Sequence, residues 1–168
     1  MRRGEAAGLR LRHLDPLRNR VRVAEAVVAA PGGGWIVEAP RTKLSRRHVP
    51  VSPTLMGQVL DFARRTGTAR DDYLWGSGSR PRDLASFYRR RFAAAARVAG
   101  LAPVRIHDLR HTYACLMSHL GHRAVEVSAW MGHANVAFTL QTYTHLFEDR
   151  EHEEQRCARL DAAFLSER

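Results

Sequence analysis

Apolar and polar residues alternate through RVRVAEAVV at 20–28, and a period of two rich in valine predicts a β-strand. APGGG at 30–34 predicts a turn, WIVEA at 35–39 a second strand and HVPVS at 48–52 a third. The polar stretch PRTKLSRR lies between the last two as a basic hairpin tip. These segments predict a small three-stranded antiparallel sheet. Residues 1–14 read as the end of a helix. After residue 52 the apolar spacing changes to the helical three and four. SPTLMGQVLDFARRTG opens with Ser52 as N-cap and Pro53 at the first helical position, and Gly67 stops it. GSGSRP at 76–81 reads as a flexible loop and RDLASFYRRRFAAAARVAG as one long helix ending at Gly100. Further helices are expected at about 107–120, 123–131 and 135–146, with a charged helical tail at 149–166. No repeat and no linker divides the chain. The expected fold class is α+β: a mostly helical domain carrying a small three-stranded antiparallel sheet.

Composition narrows this picture. A chain of 168 residues can bury a core of its own. No apolar run is long enough for a membrane span, and the N-terminus MRRGEAAGLRLRHLD has no apolar segment of a secretory signal. Cys115 and Cys157 fall in helical patterns and read as reduced thiols. Charge is the informative quantity. Lysine plus arginine number 27 against 17 acidic residues, for a net charge of +10, and Lys43 is the single lysine. An excess of this size points to a polyanionic partner, with arginine neutralising phosphate.

IHDLRHTYACL at 106–116 carries the densest polar chemistry. His107 and His111 are four apart, as in zinc-protease helices of the H-E-x-x-H type. Asp108, however, stands where the glutamate base belongs, and Arg110 lies between the supposed ligands, where it would repel a cation. No other histidine adds a recognisable third-ligand spacing. Read as H-x-x-R, His107 and Arg110 share one helix face near its N-terminus, which suits an anion.

Other segments complete a pattern. RRGE opens the chain with Arg2, PRTKLSRRHVP forms the basic tip, and WMGHANVAFTLQTYTHLF at 130–147 places His133 ten residues before Tyr143. The order R-x-G-E followed by L-R-x-x-D, a K-T…S-R-R-x-V-P hairpin, H-D-L-R-H-T, and M-G-H followed by T-Y-T-H resembles the catalytic domain of the tyrosine recombinase, or phage-type integrase, family. The resemblance covers residues 1–147.

That resemblance implies site-specific DNA recombination or integration, by strand cleavage and rejoining through a 3′-phosphotyrosyl intermediate. Tyr143 would be the nucleophile. Arg2 and Arg110 would clamp the non-bridging phosphate oxygens and stabilise the pentacoordinate transition state. His107 would act as acid/base or hydrogen-bond donor near the tyrosine, and His133 would hold a phosphate oxygen. In the hairpin, the family's usual lysine falls at Arg41, whose pKa is too high for a general acid. Lys43, two residues on and on the same side of an extended tip, is expected to take its place. No metal, nucleotide or other cofactor is implied. The implied partner is double-stranded DNA bearing specific recombination sites, bound by a homo-oligomer that is tetrameric on DNA, with no membrane and a cytoplasmic, nucleoid-associated location.

The motif containing Arg2 stands at Met1. Residues 1–168 are therefore expected to form the catalytic domain without the helices and the separate DNA-clamp domain that family members carry upstream. A truncated remnant that binds DNA without recombining it is the alternative. Glu5 is expected to support Arg2 by local hydrogen bonding, His111 to support the helix, and YRRRF at 88–92 to present a basic face to the DNA backbone. Trp75, Trp130 and Phe138 are expected in the core and Trp35 packed on its strand. The C-terminal helix resembles the segment that family members exchange with a neighbouring protomer.

Overall fold

The computed structural model of the chain describes residues 1–39, 46–101, 103–133, 135 and 137. Lys43, Arg41, Tyr143, Phe138 and Cys157, the helix expected at 149–166, and all but residues 135 and 137 of that expected at 135–146, lie outside the described residues.

The first helix, α1, spans only Arg3–Ala7, shorter than the helix expected over 1–14. After Leu9 the chain extends beside residues 70–74, with Leu74 N–H donating to Leu9 carbonyl at 2.8 Å and Arg12 N–H to Arg70 carbonyl at 2.9 Å. Backbone pairing with this distant segment competes with the helix and ends it. Leu14–Asp15 (β1) and Arg20–Val23 (β2) then form a tight antiparallel pair. Asp15 accepts from the Arg18 N–H at 3.2 Å and Arg20 Nε at 2.8 Å, and Asn19 turns the chain at φ 46°.

The strand expected over 20–28 is two strands. Between β2 and Ala26–Ala29 (β3), the Glu25 carboxylate takes Arg10 Nε at 3.1 Å and Arg12 at 2.8 Å. The alternation continues through this point in sequence, but the sheet does not. Among the described residues β3 pairs only with Trp35–Glu38 (β4), in a hairpin whose turn holds Gly32, Gly33 and Gly34 at positive φ. The three-stranded antiparallel sheet is instead completed by Arg47–Pro50 (β5), in the order β1–β2–β5, with Val21 opposite Val49 and Val23 opposite Arg47. Trp35 does lie on a strand, but it remains 44% exposed.

Two glycines let α1 lie directly on β3. A Cβ on Gly4 would stand 2.5 Å from the Val27 carbonyl oxygen, and one on Gly8 would stand 2.7 Å from that of Glu25.

Pro53–Arg65 (α2) starts as expected, with Ser52 Oγ accepting the Leu55 N–H at 3.2 Å. The long helix expected at 82–100 is a helical run with a fault in it: Leu84–Phe87 (α3), a wide π-turn at Tyr88–Phe92, and Ala93–Val98 (α4). Ile106–His119 (α5) and Ala124–Met131 (α6) match expectation closely. One core gathers Leu9, Val21, Met56 and Leu74, with Trp75 against it. A second joins α5 to α6 through Ala114, Val127 and Met131, with Cys115 and Met117 beside them. Among the described residues no helix is long and apolar enough to cross a membrane.

Candidate active site

The C-terminal turn of α6 organises the site. Gly132 adopts the left-handed conformation at φ 67°, its N–H bonds Ala129 carbonyl at 3.1 Å, and the His133 N–H returns to Ser128 carbonyl at 3.1 Å. This is a Schellman closure, and it explains glycine in M-G-H. A helix end still carries carbonyls that need donors and a partial negative charge. Here arginines from three other elements supply them. Arg47 Nε donates to Trp130 carbonyl at 2.7 Å, Arg110 to Met131 carbonyl at 2.6 Å and Arg2 to Gly132 carbonyl at 2.9 Å.

Arg2, Arg110 and His133, singled out separately in sequence, thus meet at one turn. Arg110 is buried, Arg2 exposed and His133 half-buried. Glu5 does support Arg2 as expected: its carboxylate accepts from the Arg2 backbone N–H and from the Arg2 guanidinium at 3.2 Å. It also does something the sequence reading missed. Glu5 is only 5% exposed and forms a two-armed pair with Arg47, at 3.0 and 2.8 Å. Burial opposes the Glu5 charge, but the Arg47 hydrogen bonds and the bond from the Arg2 backbone outweigh it, so its pKa is lowered. A signal for Arg47 existed: β5 buries alternate positions, and Arg47 shares the buried face with Val49.

His107 stands in the first turn of α5, exposed, with its ring edge-on to His111 at 4.9 Å. Its pKa is lowered, chiefly by partial burial and then by His111 and Arg110, with Asp108 opposing. His133 is pushed down further, to about 4, by burial and then by Arg110, Arg2 and Arg47. Both imidazoles are therefore neutral at pH 7. Each neutral ring offers one N–H and one lone pair.

The protease-like reading of HDLRH does not survive the geometry. Asp108 caps its own helix, accepting the Arg105 N–H at 2.8 Å and the Arg105 guanidinium at 2.8 Å, which holds its pKa down at about 2. Among the described residues no group of three histidine, cysteine or acidic side chains could hold a metal ion.

Arg2 and His107 line a depression of about 530 Å³ with Arg3, Tyr88 and Arg105. Arg2, His107 and Arg110 also face a wider, apolar groove of about 710 Å³ that includes Tyr113 and Trp130. Tyr113 is unsuited to nucleophilic attack. Its hydroxyl is buried with no hydrogen-bond partner among the described residues, and burial pushes its pKa up to about 12. The basic face expected at 88–92 is present: Arg89, Arg90 and Arg91 are exposed, and Arg90 and Arg91 share a depression of about 410 Å³ with Arg80 and Arg82.

The chain is 32% identical over 156 residues to a putative prophage phiRv2 integrase of Mycobacterium tuberculosis, covering 91% of this chain and 41% of the relative. It is 23% identical over 163 residues to the ICEBs1 integrase of Bacillus subtilis, covering 91% and 44%. It therefore spans less than half the length of these relatives. The fold matches the Tn1549 transposon integrase, solved in complex with circular intermediate DNA, with a TM-score of 0.72 at 20% identity over 94% of this chain and 56% of that one. It also matches XerA recombinase, with a TM-score of 0.62 at 24% identity over 93% and 52%. The fold is that of a tyrosine recombinase catalytic domain. The model of the phage integrase family matches residues 1–150, and the chain belongs to that family.

Proposed function

We propose that the chain is the catalytic part of a site-specific DNA recombinase that cuts and rejoins DNA through a 3′-phosphotyrosyl link. The observation that carries this reading is the convergence of Arg2, Arg110 and His133 on the terminal turn of α6. Two guanidinium groups and a neutral imidazole gathered on one turn form a cradle for a phosphodiester and its transition state.

In this mechanism the Tyr143 oxygen attacks the phosphorus while its proton passes to neutral His107. The bond from phosphorus to the 5′-oxygen breaks, and Lys43 protonates the departing oxygen. Arg2 and Arg110 bind the non-bridging oxygens, and His133 donates a hydrogen bond to one of them. Reversal by an incoming 5′-hydroxyl rejoins the strand. The covalent link conserves the bond energy, so rejoining needs no nucleotide. The net charge of +10 and the exposed Arg89–Arg91 face fit a duplex DNA partner. The working assembly is a homotetramer on two recombination sites, acting at the nucleoid.

The test is a nicked duplex carrying the recombination site of the encoding element, from which the short cleaved strand diffuses away. A covalent protein–DNA adduct is expected, and Tyr143→Phe abolishes it. Salt-dependent binding without any adduct would overturn the cleavage reading in favour of a DNA-binding remnant.

A further inference from the structure

We propose that Arg47 is a positioning residue of this site, holding Arg2 and the His133 turn in one frame without touching DNA. The inference rests on the cleavage reading, in which Arg2 and His133 meet the scissile phosphate. All three nitrogens of the Arg47 guanidinium are engaged by protein acceptors, Nε by Trp130 carbonyl and the two terminal nitrogens by Glu5, which leaves Arg47 a structural rather than a phosphate-binding part. Its guanidinium instead reaches two elements distant in sequence. Two arms hold the Glu5 carboxylate at 3.0 and 2.8 Å, 42 residues away, and Nε holds Trp130 carbonyl at 2.7 Å, 83 residues away.

Two consequences follow for the groups that would act on DNA. Glu5 sits three residues after Arg2 and binds both its backbone N–H and its guanidinium, so fixing Glu5 fixes Arg2. The second consequence is electrostatic. Left alone beside Arg2, the Glu5 carboxylate would neutralise the charge needed for phosphate. Arg47 takes that carboxylate in the shorter, two-armed pair, leaving Arg2 at 3.2 Å and oriented toward Gly132 carbonyl. On the other side, Arg47 ties down Trp130, one turn before His133. Gly132 makes room for it: a Cβ there would stand 2.7 Å from the Arg47 guanidinium carbon. A buried ion pair is weak evidence for stability alone, and an apolar substitute of similar volume often serves equally well. What an apolar residue could not do is orient Glu5, screen its charge from Arg2 and cap Trp130 at once.

The test uses Arg47→Lys, which keeps the charge but lacks the fork. Glu5→Gln, of nearly the same shape, is the second variant should the first not fold. The adduct rate at saturating DNA is expected to fall about 100-fold, the scale of a small misplacement of reacting groups. DNA affinity stays within about threefold, because the Arg47 guanidinium is already occupied by Glu5 and Trp130 carbonyl. In an Arg2→Ala background the same change costs well below about 100-fold, because the route through Arg2 is already lost and only that through the His133 turn remains. Multiplicative losses, or a loss confined to DNA affinity, would overturn the proposal. Amide hydrogen exchange without DNA separates this outcome from failure of the cleavage reading. Arg47→Lys should speed exchange at Gly132 and His133 while leaving the middle of α5 and the β2–β5 ladder unchanged. Should the unaltered protein form no adduct, the cleavage reading falls and exchange alone decides. Local opening supports Arg47 as the strut, and uniform or absent change rejects it.

Discussion

His133 is half-buried, and the positive fields of Arg110, Arg2 and Arg47 reach it; burial and these charges together push its pKa down to about 4. An unfolded histidine titrates near 6.5, so between about pH 6.5 and 4 the unfolded chain binds a proton that the folded chain refuses. The stability that depends on neutral His133 is thus fully present above pH 6.5 and is lost as pH falls through 4. The buried His13 is lowered in the same direction, also chiefly by burial, and adds to the same acid-side loss. A bound phosphate reverses the local field and raises the His133 pKa, so DNA binding takes up a proton on the acid side. Site-resolved imidazole NMR checks both effects. His133 should remain neutral at pH 5.5 in the free protein and titrate at higher pH when the site holds DNA. A free-protein pKa near 6.5 would show that the arginine fields do not reach it.

At the scale of elements, the seating of α1 on β3 determines where Arg2 stands. Gly4→Ala puts a Cβ 2.5 Å from the Val27 carbonyl oxygen, against backbone that cannot swing aside. The helix must lift, at a cost of about 1–3 kcal/mol, and Arg2 lifts with it. Melting temperature should fall by about 2–4 °C per kcal/mol lost, and the adduct rate should fall with it. Gly57 is the contrasting case: it is exposed on α2 with nothing within 4 Å of its missing Cβ, so Gly57→Ala should stabilise by about 0.5–1 kcal/mol. Calorimetry on the two variants should give shifts of opposite sign. The same contacts show what was legible beforehand. The family resemblance singled out His107, Arg110 and His133, of which Arg110 and His133 meet at the end of α6, and α2, α5 and α6 were legible because period and caps agree. The division of 20–28 could not be seen, because it depends on Glu25 turning toward Arg10 and Arg12 and on α1 lying against the strand. Arg47 was hidden for the same reason: its partners are 42 and 83 residues away, and a local pattern shows only that it shares a face with Val49.

Across the whole molecule, buried and exposed arginines divide the work. Arg47 and Arg110 are committed inside, to Glu5 and to the carbonyl end of α6. Arg80, Arg82, Arg89, Arg90 and Arg91 are exposed beyond the candidate site, along the segment from 80 to 92. The π-turn at Tyr88–Phe92 inserts an extra residue into this helical run, and the Tyr88 and Phe92 rings stack with centroids 5.7 Å apart. Exposed charges so placed, outside the Arg2–Arg110–His133 turn, can neutralise DNA phosphates. Their contribution is therefore electrostatic, independent of sequence and sensitive to salt. Each phosphate neutralised contributes about −0.9 to the slope of log affinity against log salt concentration. Replacing Arg89, Arg90 and Arg91 together by glutamine should make that slope shallower by about 2–3 and weaken binding to specific and unrelated duplexes alike. The adduct rate at saturating DNA should hold, because none of the three belongs to the Arg2–Arg110–His133 turn. Affinity measured from low to moderate salt on both duplexes decides the matter, and an unchanged slope would place the DNA on another face of the molecule.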